Sequence, residues 1–147
     1  RSEFFGKLKE IIGKRDDIKV IGDRFVFQSE VLFDSGEADI GIEGQRQLAK
    51  LSVAIQDLIN EIPEEINWIL RIDGHTDIVP IKNSRYESNW ELSAARAISV
   101  VDFLIKTGIP PTRLAATGRG EFMPLEIGSN EIAYKKNRRI EIKLTES

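Results

Sequence analysis

The sequence predicts an α+β fold, an α/β sandwich in which helices cover a mixed β-sheet. Apolar residues recur at steps of three and four over 44–60, as they do on an amphipathic helix, and a capping signal followed by an apolar stretch predicts a second helix over 88–106. Shorter stretches at 68–72 and 140–144 have the apolar continuity or alternation of buried strands. Because helices alternate with strands, we expect a β-α-β-α-β core with its helices packed on one face of the sheet.

The first 30 residues are predicted to form a lead-in of one helix and one hairpin. Apolar residues over 3–14 keep helical spacing. The apolar segments 18–21 and 25–27 are separated by Gly22-Asp23, a pair typical of a tight turn. The predicted units are therefore a lead-in over 1–30 and a main domain over 31–147.

The main domain begins with the apolar run Val31-Leu32-Phe33, which Asp34-Ser35-Gly36 closes with a turn signal. The helix over 44–60 follows. The next strand begins at Trp68, and we expect it to end at Asp73-Gly74, where a glycine lets the backbone turn sharply.

The second long helix is predicted to begin after Ser88, because Ser88 and Glu91 have the spacing of a capping box. It ends near Lys106, since Gly108 and the prolines after it do not continue a helix. The remaining predicted elements are a short strand over 114–117, a brief helix over 130–136 and a final strand over 140–144.

Composition excludes several classes of protein. Asp and Glu number 24 against 21 Lys and Arg, a net charge of −3, so a broad basic face is excluded and no nucleic-acid partner is expected. The absence of Cys excludes disulfides, Cys-ligated metal centres and a thiol nucleophile. No apolar run approaches the ~18 residues that a membrane span needs. The chain begins with Arg1 rather than Met, so we expect a processed or excised piece.

Arg96 stands in a helix that is otherwise apolar on nearly every side. A buried guanidinium needs an acceptor, because leaving it unpaired is costly. One interpretation is an internal salt bridge to Asp77 or Asp73. The other places Arg96 and Asp77 on a shared pocket, where Arg96 would grip the carboxylate and Asp77 the ammonium group of a zwitterion such as an α-amino acid.

His75, the only histidine, lies in the segment Asp73–Asp77 directly after a buried strand, a position that often carries function. As a metal ligand it has only Asp73 and Asp77 near it in sequence, a weak set. As a catalytic base it lacks an identified nucleophile. We therefore favour a histidine that forms hydrogen bonds to stabilise the turn, and we predict no catalytic residue, no metal and no cofactor.

Two further segments bear on this site. The polar loop over 78–87 is either a solvated connection or a lip over the pocket. Asn137-Arg138-Arg139 precedes the final strand, and an arginine there is either a surface charge or a brace for the Asp77 carboxylate.

These residues in this order resemble the OmpA-like peptidoglycan-binding domain, which is shared by OmpA, the Pal lipoprotein and the flagellar stator protein MotB. Five pieces in the right order, from residue 31 to about 144, form a specific signal. The longer loop after Asp77, the segment 88–93 and the lead-in are most similar to the MotB type. The matching pieces are Val31-Leu32-Phe33-Asp34-Ser35-Gly36, Gly74-His75-Thr76-Asp77, Asn89 with Leu92-Ser93-Ala94-Ala95-Arg96-Ala97, Gly118-Arg119-Gly120-Glu121 ahead of Pro124, and Asn137-Arg138-Arg139-Ile140-Glu141-Ile142.

The resemblance implies a non-catalytic module that binds the meso-diaminopimelate of peptidoglycan stem peptides, without a cofactor. In the family, the Asp of the GHTD motif and the Arg of the LSxxRA motif hold the zwitterionic end of that residue, and here these are Asp77 and Arg96. Asn89 matches a polar contact near the ligand, and Arg138 and Asp34 are carried over as further ligand-binding residues.

The resemblance also implies a place in the cell. Family members are periplasmic, so we expect the periplasm of a Gram-negative bacterium and a tether to a membrane through an N-terminal anchor that precedes Arg1. Two alternatives remain open. One is a peptidoglycan hydrolase with His75 and Asp77 as an acid/base pair, and the other is a mainly dimerising domain of a MotB-like stator complex, for which a homodimer would be the partner.

Overall fold

A computed structural model describes residues 19–81, 83 and 85–146, together with the isolated positions Gly6 and Glu10. Apart from those two positions, the predicted helix over 3–14 lies outside the described residues. The strands are β1 (Lys19–Ile21), β2 (Arg24–Gln28), β3 (Trp68–His75), β4 (Leu114–Gly118) and β5 (Arg139–Glu146). They form one sheet in the order β1-β2-β5-β3-β4.

The sheet is mixed, as the sequence predicts. Strands β3 and β4 run parallel, whereas the pairs β1–β2, β2–β5 and β3–β5 are antiparallel. The hairpin that we assigned to the lead-in supplies β1 and β2, and β2 is bonded along its whole length to the final strand. The hairpin therefore belongs to the same sheet as the strands that carry the motifs.

Two long helices cover one face of this sheet, which confirms the predicted fold class. Leucine, isoleucine and valine side chains of both helices share one core with the inward residues of β2, β3 and β5. The helices are α1 (Ser29–Leu32), α2 (Ile42–Ile59), α3 (Asn89–Lys106) and α4 (Glu131–Asn137), with one 3₁₀ turn over Pro111–Arg113.

The start of α3 confirms the cap that the sequence indicates, and α4 begins with a cap of the same kind. The Ser88 hydroxyl accepts a hydrogen bond from the Glu91 backbone N–H at 3.3 Å, and Asn130 does the same for Ala133 at 2.9 Å. Each cap fixes where its helix begins, and so fixes the position of the residues before it. Among the described residues, no helix has the length and apolar character that crossing a bilayer requires.

Gly74 has a role that differs from the predicted sharp turn. Strand β3 continues to His75, so the chain does not turn at Asp73-Gly74. A Cβ atom at Gly74 would lie 2.1 Å from the Ser93 carbonyl oxygen of α3. The glycine therefore permits β3 and α3 to approach closely, and it seats the N-terminal half of α3 directly against the strand that leads into Thr76 and Asp77.

The face of the sheet that points away from α2 and α3 carries charged side chains. Because side chains alternate along a strand, the residues between the core positions of β2, β3 and β5 all point to this second face. Several of them are nonetheless buried, and Asp73 and Glu141 are only 0% and 2% exposed. The charged and polar residues of this face are Arg24, Arg71, Asp73, His75, Arg139, Glu141 and Lys143.

Candidate binding site

A cavity of about 510 Å³ lies where β3 ends and α3 begins. Four of the five predicted ligand-binding residues line it, namely Asp77, Asn89, Arg96 and Arg138. Asp77 follows β3, and Arg138 lies between α4 and β5. Asn89 and Arg96 belong to the first and third turns of α3. The remaining lining residues are Ser29, Glu30, Phe33, Ser35, Gly36, Thr76, Val79, Ile81, Leu92, Glu131 and Tyr134.

The Asp77 carboxylate is held in place from two sides. Arg138 Nη1 donates to Oδ2 at 2.8 Å, and the Val79 backbone N–H donates to Oδ1 at 3.0 Å. An arginine of the Asn137-Arg138-Arg139 segment therefore braces Asp77, as one of the two interpretations from sequence had it. Asn89 Nδ2 fixes the same stretch of backbone, because it donates to the carbonyl oxygens of Asp77 at 3.3 Å and Val79 at 3.1 Å.

Arg138 joins three carboxylates at the cavity wall. Besides Asp77, its guanidinium donates to Glu131 at 2.9 Å and to Glu30 at 3.3 Å. Burial acts to lower the pKa of Arg138, but the hydrogen bonds to Glu131, Asp77 and Glu30 outweigh it and raise that pKa above its usual value. One cation among three carboxylates leaves this side of the cavity with an excess of negative charge.

Arg96 also lines the cavity, and it is buried, with 5% exposed. Its Nε donates to the Glu37 carbonyl oxygen at 2.7 Å and its Nη2 to the Asp34 carbonyl oxygen at 3.2 Å. Its guanidinium carbon lies 4.9 Å from the centre of the Phe33 ring, a cation–π contact. Burial lowers the pKa of Arg96, and the negative charge of Glu30 acts against this effect. The Arg96 guanidinium nevertheless stays positively charged, because arginine is not deprotonated in proteins.

The internal salt bridge that sequence left open for Arg96 does not form among the described residues. Asp77 pairs with Arg138 instead. Asp73 accepts from Arg71 Nε at 2.9 Å and from the Thr117 hydroxyl at 2.6 Å, on the other face of the sheet. Arg96 therefore meets neutral carbonyl groups, and its positive charge is not cancelled by a paired carboxylate.

Asp34 takes a different position from the other predicted ligand residues. Its side chain is exposed and does not line the cavity, whereas its backbone carbonyl oxygen holds Arg96. The turn after Phe33 thus positions the arginine through its backbone, and the side chain of Asp34 is free of that task.

The described part of the loop over 78–87 supplies part of the cavity wall, although most of its side chains are exposed. Val79 and Ile81 line the cavity. Further along the loop, Asn83 Nδ2 donates to the Gly36 carbonyl oxygen at 3.3 Å, and Arg85 forms an ion pair with Glu37 at 2.8 Å. The loop therefore crosses to the turn that holds Arg96, which answers the question that sequence left open about its role.

The polar residues of this cavity that sequence reasoning missed include Glu30, Glu131 and Tyr134. Glu131 is the first residue of α4 and Arg138 directly follows its last residue, about two helical turns later, so this spacing offered a signal. Glu30 and Tyr134 offered none, because they reach the cavity only through the packing of α1 and α4 around the end of the sheet.

His75 is separated from Asp77. It lines a second cavity, on the charged face of the sheet, that shares no lining residue with the first. The prediction that His75 forms hydrogen bonds in a turn is wrong, since both its ring nitrogens are buried and neither has a hydrogen-bond partner among the described residues. An acid/base pair of His75 and Asp77 is therefore not assembled in either cavity.

The carboxylates near His75 belong to a network of ion pairs. Among the described residues, Asp73, His75 and Glu141 each place a potential ligand atom within 4.8 Å of the others. A cation would have to displace guanidinium groups from both carboxylates. These groups are Arg71 on Asp73, and Arg24 and Arg139 on Glu141 at 2.6 Å each.

Acid should destabilise the protein through His75. Burial is the main cause that lowers the pKa of His75, to about 4. The positive charges of Arg139 and Arg119 lower this pKa further, whereas the carboxylates of Glu141 and Asp73 act to raise it. Below the unfolded pKa of 6.5 the unfolded chain binds a proton that the folded chain refuses, so stability falls as the pH drops towards 4.

We expect the free energy of unfolding to be about 1 kcal/mol lower at about pH 5.5 than at about pH 7.5. Urea titrations at the two pH values measure this difference. His75→Gln should abolish most of it, because no histidine then remains, and an unchanged difference in that variant would contradict the assignment.

Solved structures of other proteins have a fold similar to that of this chain. A MotB-like protein from Desulfovibrio vulgaris has a similar solved structure, with a TM-score of 0.82 and 30% identity, covering 99% of this chain and 91% of that chain. The cell wall anchor of the type VI secretion system (T6SS) from Pseudomonas aeruginosa is also 30% identical, with a TM-score of 0.73, covering 99% of this chain and 96% of that chain.

Curated sequences point the same way. Motility protein B of Bacillus subtilis is 35% identical over 116 residues, which are 78% of this chain and 42% of that protein. The chain spans about half the length of the curated relatives that it matches first. The model of the OmpA family matches residues 32–138, the stretch that includes most of the cavity lining and most of the predicted motifs. The chain therefore belongs to the OmpA family, and the resemblance to the MotB type is confirmed.

Proposed function

We propose that this chain binds peptidoglycan without cleaving it, by gripping the zwitterionic end of meso-diaminopimelate in a stem peptide. The observation that carries the proposal is one open cavity lined both by the Asp77 carboxylate and by a buried Arg96 that is paired with no described carboxylate. The free end of meso-diaminopimelate carries one carboxylate and one ammonium group on the same carbon, so it presents both charges to such a cavity.

Each charge of the ligand has a partner of the opposite sign. The carboxylate meets Arg96, whose planar guanidinium can offer hydrogen bonds to two oxygens in a fixed geometry. The ammonium group meets Asp77, with Glu131 and Glu30 adding negative charge on the same side. Two carbonyl groups and the Phe33 ring hold Arg96 in place before the ligand arrives, so little conformational freedom remains to be lost on binding.

The relatives support a role in anchoring. One similar structure, at 30% identity, is that of a cell wall anchor, and the other, also at 30%, is MotB-like. By analogy we propose that this domain fastens a membrane-tethered parent protein to the cell wall in the periplasm of a Gram-negative bacterium. Pairing of two chains into a homodimer stays a prediction, which sedimentation of the domain checks.

Titration with purified muropeptides tests the proposal. We expect the domain to bind a muropeptide containing meso-diaminopimelate at least about tenfold more tightly than its lysine-containing counterpart, because lysine lacks the carboxylate that Arg96 would hold. Isothermal titration measures both affinities. Equal affinities, or binding of neither, would overturn the proposed ligand.

Two controls separate the site from general effects. Asp77→Asn should weaken binding of the diaminopimelate muropeptide about tenfold, because the ammonium group loses its charged acceptor. Asp57→Asn makes the same change at an exposed position of α2 and should leave the affinity unchanged. Intact sacculi should retain the protein without releasing soluble fragments, and their release would instead favour a hydrolase.

A further inference from the structure

We propose that the second cavity, on the charged face of the sheet, binds a small oxyanion, a carboxylate or phosphate group. This cavity has a volume of about 290 Å³ and is unrelated to the peptidoglycan site, with which it shares no residue. Two of its lining side chains carry the argument: His75, whose buried ring nitrogens have no hydrogen-bond partner among the described residues, and Arg119, whose charge is paired with no described carboxylate.

The imidazole ring of His75 is buried beside this cavity. The residue is 4% exposed, and neither Nδ1 nor Nε2 has a hydrogen-bond partner among the described residues. A buried donor without an acceptor is destabilising, and most buried polar groups in proteins are satisfied. Its nearest carboxylate oxygen, on Glu141, lies 3.9 Å from Nε2, beyond hydrogen-bond distance, and is bonded to Arg139 instead. An oxyanion in the cavity would supply the acceptor that the ring lacks.

Arg119 supplies the free charge. Its backbone N–H donates to the Gly74 carbonyl oxygen at 2.9 Å, which fixes the residue beside the end of β3. Within residues 19–81, 83 and 85–146, its guanidinium forms no hydrogen bond or ion pair, unlike Arg139, whose Nε, Nη1 and Nη2 all donate. An arginine with an unused planar fork beside an unsatisfied histidine is a suitable arrangement for carboxylate or phosphate.

The charge of the cavity favours an anion over a cation. Arg24, Arg119 and Arg139 line it together with a single carboxylate, Glu141, so the lining carries a net positive charge in a protein whose overall charge is −3. Its remaining wall is apolar and consists of the half-exposed segment 122–125. This wall keeps the arginines partly away from water, where a charge-assisted hydrogen bond is stronger.

Nuclear magnetic resonance of the single histidine tests the proposal directly. Because the chain has one histidine, its imidazole signals report on this cavity alone. The protein is titrated at constant pH and ionic strength with inorganic phosphate in one arm and sodium acetate in the other. We expect a saturable shift of the His75 signals in at least one arm, and the arm with the tighter binding assigns the group as phosphate or carboxylate.

Substitutions at arginine positions provide the control. Arg119→Gln should weaken the binding of the preferred anion about tenfold, because one charge-assisted hydrogen bond to that anion is lost. Arg46→Gln removes the same charge from an exposed position of α2 and should change nothing. The muropeptide affinity of Arg119→Gln should equal that of the wild type, which keeps this test separate from the proposed wall binding.

The proposal is overturned if neither probe shifts the His75 signals in a saturable way. It is equally overturned if Arg119→Gln and Arg46→Gln reduce anion binding to the same extent, because the effect would then reflect overall charge. Thermal melting of both variants verifies that each is folded during the titration, and the half-exposed position of Arg119 makes a folded variant the expected result.

Discussion

Replacing Glu141 with glutamine should lower the free energy of unfolding by about 3–5 kcal/mol. The Glu141 side chain is 2% exposed and accepts hydrogen bonds from Arg24 and Arg139 at 2.6 Å each. Arg139 is itself buried, so the amide would leave a guanidinium in the interior without a counter-charge. Breaking a buried pair from one side is costly for this reason, even where the intact pair adds little stability.

Urea unfolding followed by tryptophan fluorescence measures this loss, since Trp68 is buried in the core. Glu43→Gln is the matched control, because Glu43 also bonds an arginine, at 2.7 Å, but both partners are exposed. The control should change stability by less than about 1 kcal/mol. A loss for Glu141→Gln no greater than that of the control would contradict the assigned role.

The same residue contributes to acid sensitivity. Burial acts to raise the pKa of Glu141, but hydrogen bonds from Arg24 and Arg139 outweigh it and lower the pKa below its ordinary value of 4.5. The stability contributed by this carboxylate is therefore complete above the unfolded pKa and is lost as the pH falls through the folded one. The glutamine variant should lack this part of the acid response.

Replacing Arg96 with lysine should weaken binding of a diaminopimelate muropeptide about 100-fold, or ~3 kcal/mol. The guanidinium bonds two backbone carbonyl groups and stacks on Phe33 while it still presents a charged edge to the cavity. A lysine ammonium group has one nitrogen, so it would either satisfy the carbonyl groups or meet the ligand, and it would form no planar pair with a carboxylate.

Lysine keeps the positive charge, so this substitution tests geometry more cleanly than Arg96→Ala. Arg46→Lys is the control on the exposed side of α2 and should bind as the wild type does. Calorimetry of both variants gives the affinities, and thermal melting establishes that the Arg96→Lys variant is folded under the conditions of the titration. Unchanged affinity of Arg96→Lys would remove Arg96 from the site.

Several elements could be predicted because their signals are local. Ser88 caps α3 by accepting a hydrogen bond from the backbone N–H three positions later, and this spacing is visible in the sequence. The alternation of Ile140, Ile142 and Leu144 with polar residues likewise indicated which side of β5 packs into the core. Local geometry and the period of apolar residues determine these features without reference to the rest of the chain.

Other predictions failed because packing between distant segments decides them. The expected turn at Gly74 is instead a close contact with α3, whose Ser93 carbonyl group occupies the space a side chain would need. The expected hydrogen bonds of His75 are absent among the described residues, because the strand continues and points the ring to the charged face of the sheet. Neither outcome has a signal within the few residues around each position.

By itself, the sequence determined that the fold is a mixed sheet covered by helices. It also determined that Asp77 follows a buried strand and that the oppositely charged Arg96 stands on an apolar helix. Only the tertiary structure decided their partners: Arg138 for Asp77, 61 positions away, and the Glu37 carbonyl group for Arg96, 59 positions away. Helix and strand patterns depend on neighbours within a few residues, whereas the acceptor of a buried charge depends on which segments the fold brings together. For that reason the chemistry of the site was visible in the sequence, and the uncancelled charge of Arg96 was not.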